Sequence, residues 1–184
     1  MNSISQYTVG AVKTFRGHDG HGYSCNLLRN KKKVAEVTDD GWGGGLQFHW
    51  VDNNTSTVVN NRTYEGKPHS FTGTVEESLF YAEVMKLPKI PSFDKTQEMF
   101  TDPDIVVDEM VNEVLLTKKI KADLQKNITI QTKEGQIFNW KISAKHSGVI
   151  LKAHALKEYP DAVIINDLDI PTVVKIYKEA NIIA

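Results

Sequence analysis

Cysteine is nearly missing from this chain: Cys25 stands alone among 184 residues. No internal disulfide can form, so burial and hydrogen bonds must hold the fold. Cys25 reads as a small buried apolar residue of a reducing compartment. A reactive thiol would need a helix N-terminus or a basic neighbour, which a mid-strand position does not supply. Long apolar runs are missing too, for no stretch approaches the roughly 18 residues that a bilayer span needs. The first residues, Met-Asn-Ser-Ile-Ser-Gln-Tyr, lack the basic-then-apolar order of a secretory leader. The expected location is therefore the cytoplasm, with no membrane partner, and the Asn-x-Ser/Thr matches at Asn53, Asn54, Asn61 and Asn127 carry little weight. An excess of either charge is also absent. Lys plus Arg number 22 against 23 Asp plus Glu, a formal net charge of −1, which argues against a protein that lives by attraction to nucleic-acid backbones. No internal repeat or low-complexity tract is evident.

What is present is the composition of an ordinary globular protein, 40% hydrophobic and 24% charged. The length suits one α+β domain over residues 1–184, with a β-rich part (1–72) and a mixed helical part (73–184) as its subdivision. After a loose lead-in over 1–10, four apolar runs of strand length, 12–16, 23–29, 33–38 and 46–51, predict an antiparallel meander. Arg29-Asn30-Lys31-Lys32 is a turn of hairpin length. Phe15, Phe48, Trp50 and Trp140 are the expected aromatic core, with Gln47 and His49 on the face opposite Phe48 and Trp50. The polar stretch 52–70 is a long loop or a pair of short edge strands around Val58-Val59.

Helices follow. Thr74 and Glu77 have capping-box spacing, ahead of an expected apolar stripe of Val75, Leu79, Ala82 and Met85, with Phe80 and Leu87 beside them, that Pro88 ends. Asp102-Pro103-Asp104 opens the longest helix, with acids at its positive end and Lys118, Lys119, Lys121 and Lys126 towards its negative end. A hairpin of 128–132 and 137–142 comes next. The C-terminal part is a helix–strand–helix: a helix capped by Ser147 with Ile150, Leu151, Ala155 and Leu156 as its apolar positions, a buried strand 162–165, and a helix from Pro171 with Val173, Val174, Ile176 and Tyr177 facing inward. Asn166-Asp167-Leu168-Asp169 is the turn that caps it.

Two loops of the meander hold the unusual residues. In 18–22, His18, Asp19 and His21, joined by His49 and the Asp39-Asp40 pair if the loops share a sheet edge, offer nitrogen and oxygen donors to a divalent ion. That chemistry would serve a metal-dependent hydrolase or nuclease. His-x-x-His in a glycine loop is nevertheless not a strong zinc spacing, and a solvated hydrogen-bonded turn is the simpler expectation, with no metal and no other cofactor. In 39–45, Asp39-Asp40-Gly41-Trp42-Gly43-Gly44-Gly45 lacks the Gly-Lys-Ser/Thr of a phosphate loop. Its distinctive member is Trp42, which either lids the core over Trp50 or Phe15 or offers contact area to a partner. Trp42, Gly43 and Gly44 could also line a pocket that sequesters a nucleotide signal.

The run Phe15-Arg16-Gly17-His18-Asp19-Gly20, with Lys33-Val34-Ala35 and Asp39-Asp40-Gly41, resembles that of small bacteriophage-encoded proteins of uncharacterised function. Tyr159-Pro160-Asp161 and Ile165-Asn166-Asp167 fit the same pattern, and the resemblance spans about a third of the chain. It implies a viral accessory protein acting inside a bacterium and brings no catalytic residues with it. No catalytic constellation is complete in this chain. The expectation is thus a non-enzymatic binding protein that docks on a host protein, such as a defence component, and inhibits it. Self-association is left open.

Overall fold

Alternating apolar residues in the N-terminal quarter build a four-stranded antiparallel sheet in the computed structural model, which describes residues 4–18, 20–92 and 94–180. The fold is α+β. Contacts divide the chain into two compact units, Met1–Val114 and Leu115–Ala184.

The sheet of the first unit runs β1 (Tyr7–Arg16), β2 (His21–Arg29), β3 (Lys32–Asp39) and β4 (Gln47–Trp50), in that spatial order. β1 starts inside the expected lead-in, because Tyr7 is buried and its ring meets Phe80 edge-on at 4.9 Å. A register shift between Gly10 and Lys13, with Ala11 at φ 52°, bends the strand. Val12 is buried, but Phe15 is 42% exposed and not core. Residues three apart on a strand face opposite ways, and the inward side belongs to Val12. Phe48 and Trp50 alternate with exposed Gln47 and His49 and both lie 6.2 Å from the Phe80 ring.

Helix α1 (Val75–Val84) begins with the reciprocal Thr74–Glu77 capping box. Its inward residues are Phe80 and Val84, whereas Val75 and Leu79 are exposed. The expected stripe was therefore rotated by about one residue, or roughly 100°; the aromatic pair on β4 selects Phe80. The polar stretch folds as a hairpin of β5 (Thr57–Arg62) and β6 (Pro68–Gly73), with Val59 buried and Val58 exposed. The two-residue strands β7 (Ile90–Pro91) and β8 (Glu98–Met99) pair before α2 (Pro103–Lys126), a 24-residue helix.

In the second unit β9 (Asn127–Gln131) lies between β10 (Ile137–Lys141) and β11 (Val163–Ile164), all pairs antiparallel. Helices α3 (Gly148–Glu158) and α4 (Ile170–Glu179) complete it. Leu116, Ile120, Ile165, Val173, Val174 and Tyr177 form its main core. Trp140 is half-buried, 6.3 Å from the Tyr159 ring. The expected buried strand is shorter than read: Val163 is exposed, and a 3-10 turn takes over at Ile165–Asp167. Asn166 explains that turn. Its side chain accepts from Thr129 N at 2.8 Å and donates to the carbonyls of Leu124 and Asn127, both at 2.9 Å. It thereby ties the end of α2 to β9. Asp169 caps α4 by accepting from Thr172 N at 2.8 Å. Ser147 holds the N-cap position of α3 without a side-chain capping bond, and Ile150 and Leu156, read as inner residues, are exposed.

Candidate functional site

An up-and-down meander sends its first and third connections out of the same end of the sheet. Gly17 and His18 of the first accordingly meet the segment 40–46 of the second, and Gly17 touches Gly41 through backbone. A Cβ on Gly17 would lie 2.7 Å from Gly41 Cα, so only glycine allows the two chains this close. Gly41 also sits at φ 70°.

The second of these loops is held by three carboxylates. Asp39 Oδ1 accepts from Gly41 N, Asp40 Oδ1 from Trp42 N and Asp104 Oδ2 from Leu46 N, each at 2.9 Å. The first two are turns of the kind Asp favours when its side chain reaches an amide two residues on. The third comes from the first turn of α2. A loop with four glycines is thus fixed by side chains rather than by backbone stiffness.

Trp42 is 62% exposed. Its ring stacks on the imidazole of His18 from the neighbouring loop, with centroids 4.7 Å apart and planes 14° from parallel. A stacked pair of this kind contributes about 0.5–1.5 kcal/mol beyond burial alone. Neither Trp50 nor Phe15 supplies the stacking partner that a core lid would use; His18 does.

Behind the loops lies a half-buried acidic layer. The Tyr23 hydroxyl donates to Asp108 Oδ1 at 2.6 Å. Burial raises the Asp108 carboxyl above the ordinary carboxylate range, with the charges of Asp39 and Asp102 adding to it and the Tyr23 bond opposing it. Asp104 is raised in the same way, by burial first, against the Leu46 amide. The Tyr23 hydroxyl is raised by its burial and by its bond to Asp108. Cys25 is buried, and its thiol is pushed up to about 11 by burial and then by Asp108, so the thiolate is disfavoured.

Of the residues singled out from sequence, His18, Asp39, Asp40, Trp42, Gly43 and Gly44 share this end of the sheet. His21 opens β2 there, exposed and opposite Arg16. Asp19 lies outside the described residues. His49 does not join them. It pairs with Glu36, which pairs with Asn26, so it stands five residues along from His21, about 16 Å at strand rise. Among the described residues no group of three or more His, Cys, Asp or Glu side chains could hold a metal ion. Tyr23, Asp104 and Asp108 are the members that sequence reasoning missed. In the sequence Asp104 is an acid that suits the positive end of a helix, and nothing local links it to Leu46, 58 residues away.

No family model, no curated protein and no solved structure matches the chain. No helix among the described residues is long and apolar enough to cross a membrane.

Proposed function

We propose that the protein is a non-enzymatic binding protein that presents the His18–Trp42 stack to a protein partner. The observation that supports this most is a large aromatic ring, 62% exposed, on a loop that three carboxylates already hold in place. An ordered ring loses little conformational freedom on contact, which is why such residues dominate binding energy at interfaces. Asp39, Asp40, Gly43 and Gly44 flank the ring and supply polar atoms to the rim. The resemblance of the first third of the chain to phage-encoded proteins sets the expected partner: a bacterial host protein, such as a defence component, that this chain docks on and inhibits.

The test is a single substitution read two ways. Tagged protein is produced in a bacterial host, its bound proteins are captured, and wild type is compared with Trp42→Ala. The melting temperature should fall by no more than a few degrees, the scale of the lost stack on His18. Affinity for the captured partner should fall by about 2 kcal/mol, or about thirtyfold. A Trp42→Ala protein that keeps both its stability and its partner would remove this loop from the function. A loss of several kcal/mol in stability would instead make Trp42 a structural residue.

A further inference from the structure

Phe100 follows β8 and lies against the loop that joins β5 to β6. Its N–H donates to the Tyr64 carbonyl at 3.1 Å. Gly66, at φ 91°, brings the loop onto the ring, where a Cβ would stand 2.5 Å from Phe100 Cε2. Two cations share that ring. The guanidinium carbon of Arg62 lies 4.1 Å from its centroid and Lys89 Nζ lies 4.6 Å from it. The two charges are thus within about 9 Å of each other, inside a screening length at ordinary ionic strength. Among the described residues neither has a carboxylate partner, and Glu65, the acid of the same loop, is taken by Lys67 at 2.6 Å. Arg62 Nε and Nη2 are shut from water and have no hydrogen-bond partner. Phe100 offers the charge a ring but offers these N–H groups no oxygen.

Nε and Nη2 carry the two parallel N–H groups along one edge of a guanidinium, the fork that grips two oxygens of one oxyanion. Both prongs of that fork are the atoms left unpaired here. We propose that Arg62 and Lys89 hold a phosphate group, carried by a small phosphate monoester or free in solution. Buried donors without an acceptor are rare because they are costly, and an oxyanion removes that cost. Two cations call for a dianion. A phosphate monoester carries about −1.5 to −2 near pH 7, whereas a carboxylate carries a single charge. Arg62 supplies the bidentate bond, Lys89 on its flexible stem supplies the second charge, and Phe100 keeps the two together. Arg62 is half-buried, and Lys89 and residues 63–65 are exposed. The group is therefore reached from the surface by turning side chains aside, with no strand displaced.

Calorimetric titration of the full chain with inorganic phosphate and with phenyl phosphate, at constant ionic strength, tests this. The wild type should bind at least one of them saturably, with a Kd of about 1 mM or below. A tighter constant for phenyl phosphate assigns the site to a monoester, and an equal or weaker one assigns it to free phosphate. Arg62→Lys keeps the charge and removes the fork, so it should weaken binding about tenfold or more. Lys89→Met, at an exposed position, should weaken it several-fold without moving the melting temperature. Lys31→Met removes a charge from the β2–β3 turn and should leave binding unchanged. The absence of saturable binding of either probe overturns the proposal. So does binding that Arg62→Lys and Lys89→Met leave intact, or that Lys31→Met weakens as much, because such attraction belongs to net charge and not to a site.

Discussion

Asp108 shows how one half-buried carboxylate sets the pH response of its surroundings. Its carboxyl is raised in the folded chain, by burial first and then by Asp39 and Asp102. The native state therefore holds a proton more tightly than the unfolded chain does, and stability from this site falls as pH rises from the unfolded value, about 3.9, through the folded one. Asp104 has the same sign. Neither residue drives acid unfolding; both cost stability once ionised. Asp108→Asn keeps an acceptor for the Tyr23 hydroxyl while removing the charge. It should raise the melting temperature near pH 7, with a gain that shrinks as pH falls towards 4. A lower melting temperature at pH 7, measured by scanning calorimetry, would show that the charge itself is needed. None of this is visible in sequence, where Asp108 is one acid among many on a helix and Tyr23 one aromatic on a strand.

Elements were most legible where the signal is local. Thr74-x-x-Glu77 marks the start of α1, and Asp102-Pro103 marks the start of α2. The β2–β3 turn was legible too. Asn30 and Lys31 occupy it with φ of 51° and 67°, the double left-handed turn that matches strand twist. Asn tolerates that conformation and Lys pays a steric cost there. Lys31→Gly should accordingly stabilise the protein by about 0.5–1 kcal/mol in urea unfolding; a loss would mean that the Lys31 side chain makes a contact worth more than the strain. Helix phase was less legible. Val75, Leu79, Ile150 and Leu156 are apolar, yet all four are exposed, because facing residues on another element choose which side turns inward. The Phe80–Trp50 and Phe80–Phe48 contacts join residues about 30 apart in sequence, beyond the reach of any periodicity.

At the scale of the whole molecule, sequence found the two loops but not what holds them. The glycine and aspartate clusters marked turns, and the meander order put them at one end. The Asp104 clamp on Leu46 and the His18–Trp42 stack depend on where the chain returns, which local patterns do not encode. The same holds for α2, read as a single long helix and found to belong to both compact units, whose division at Val114 and Leu115 falls inside it. That has a consequence for anyone wishing to divide the gene. A cut between codons 114 and 115 leaves carbonyls at one new helix end and amides at the other without helical partners. It also leaves Val111 and Leu116, five residues apart on the helix and both buried, on different polypeptides. Pieces 1–114 and 115–184 produced separately should be poorly folded by far-ultraviolet circular dichroism, whereas a nick in the exposed stretch 52–56 should leave the two pieces associated and native. Two compact units are here not two portable modules.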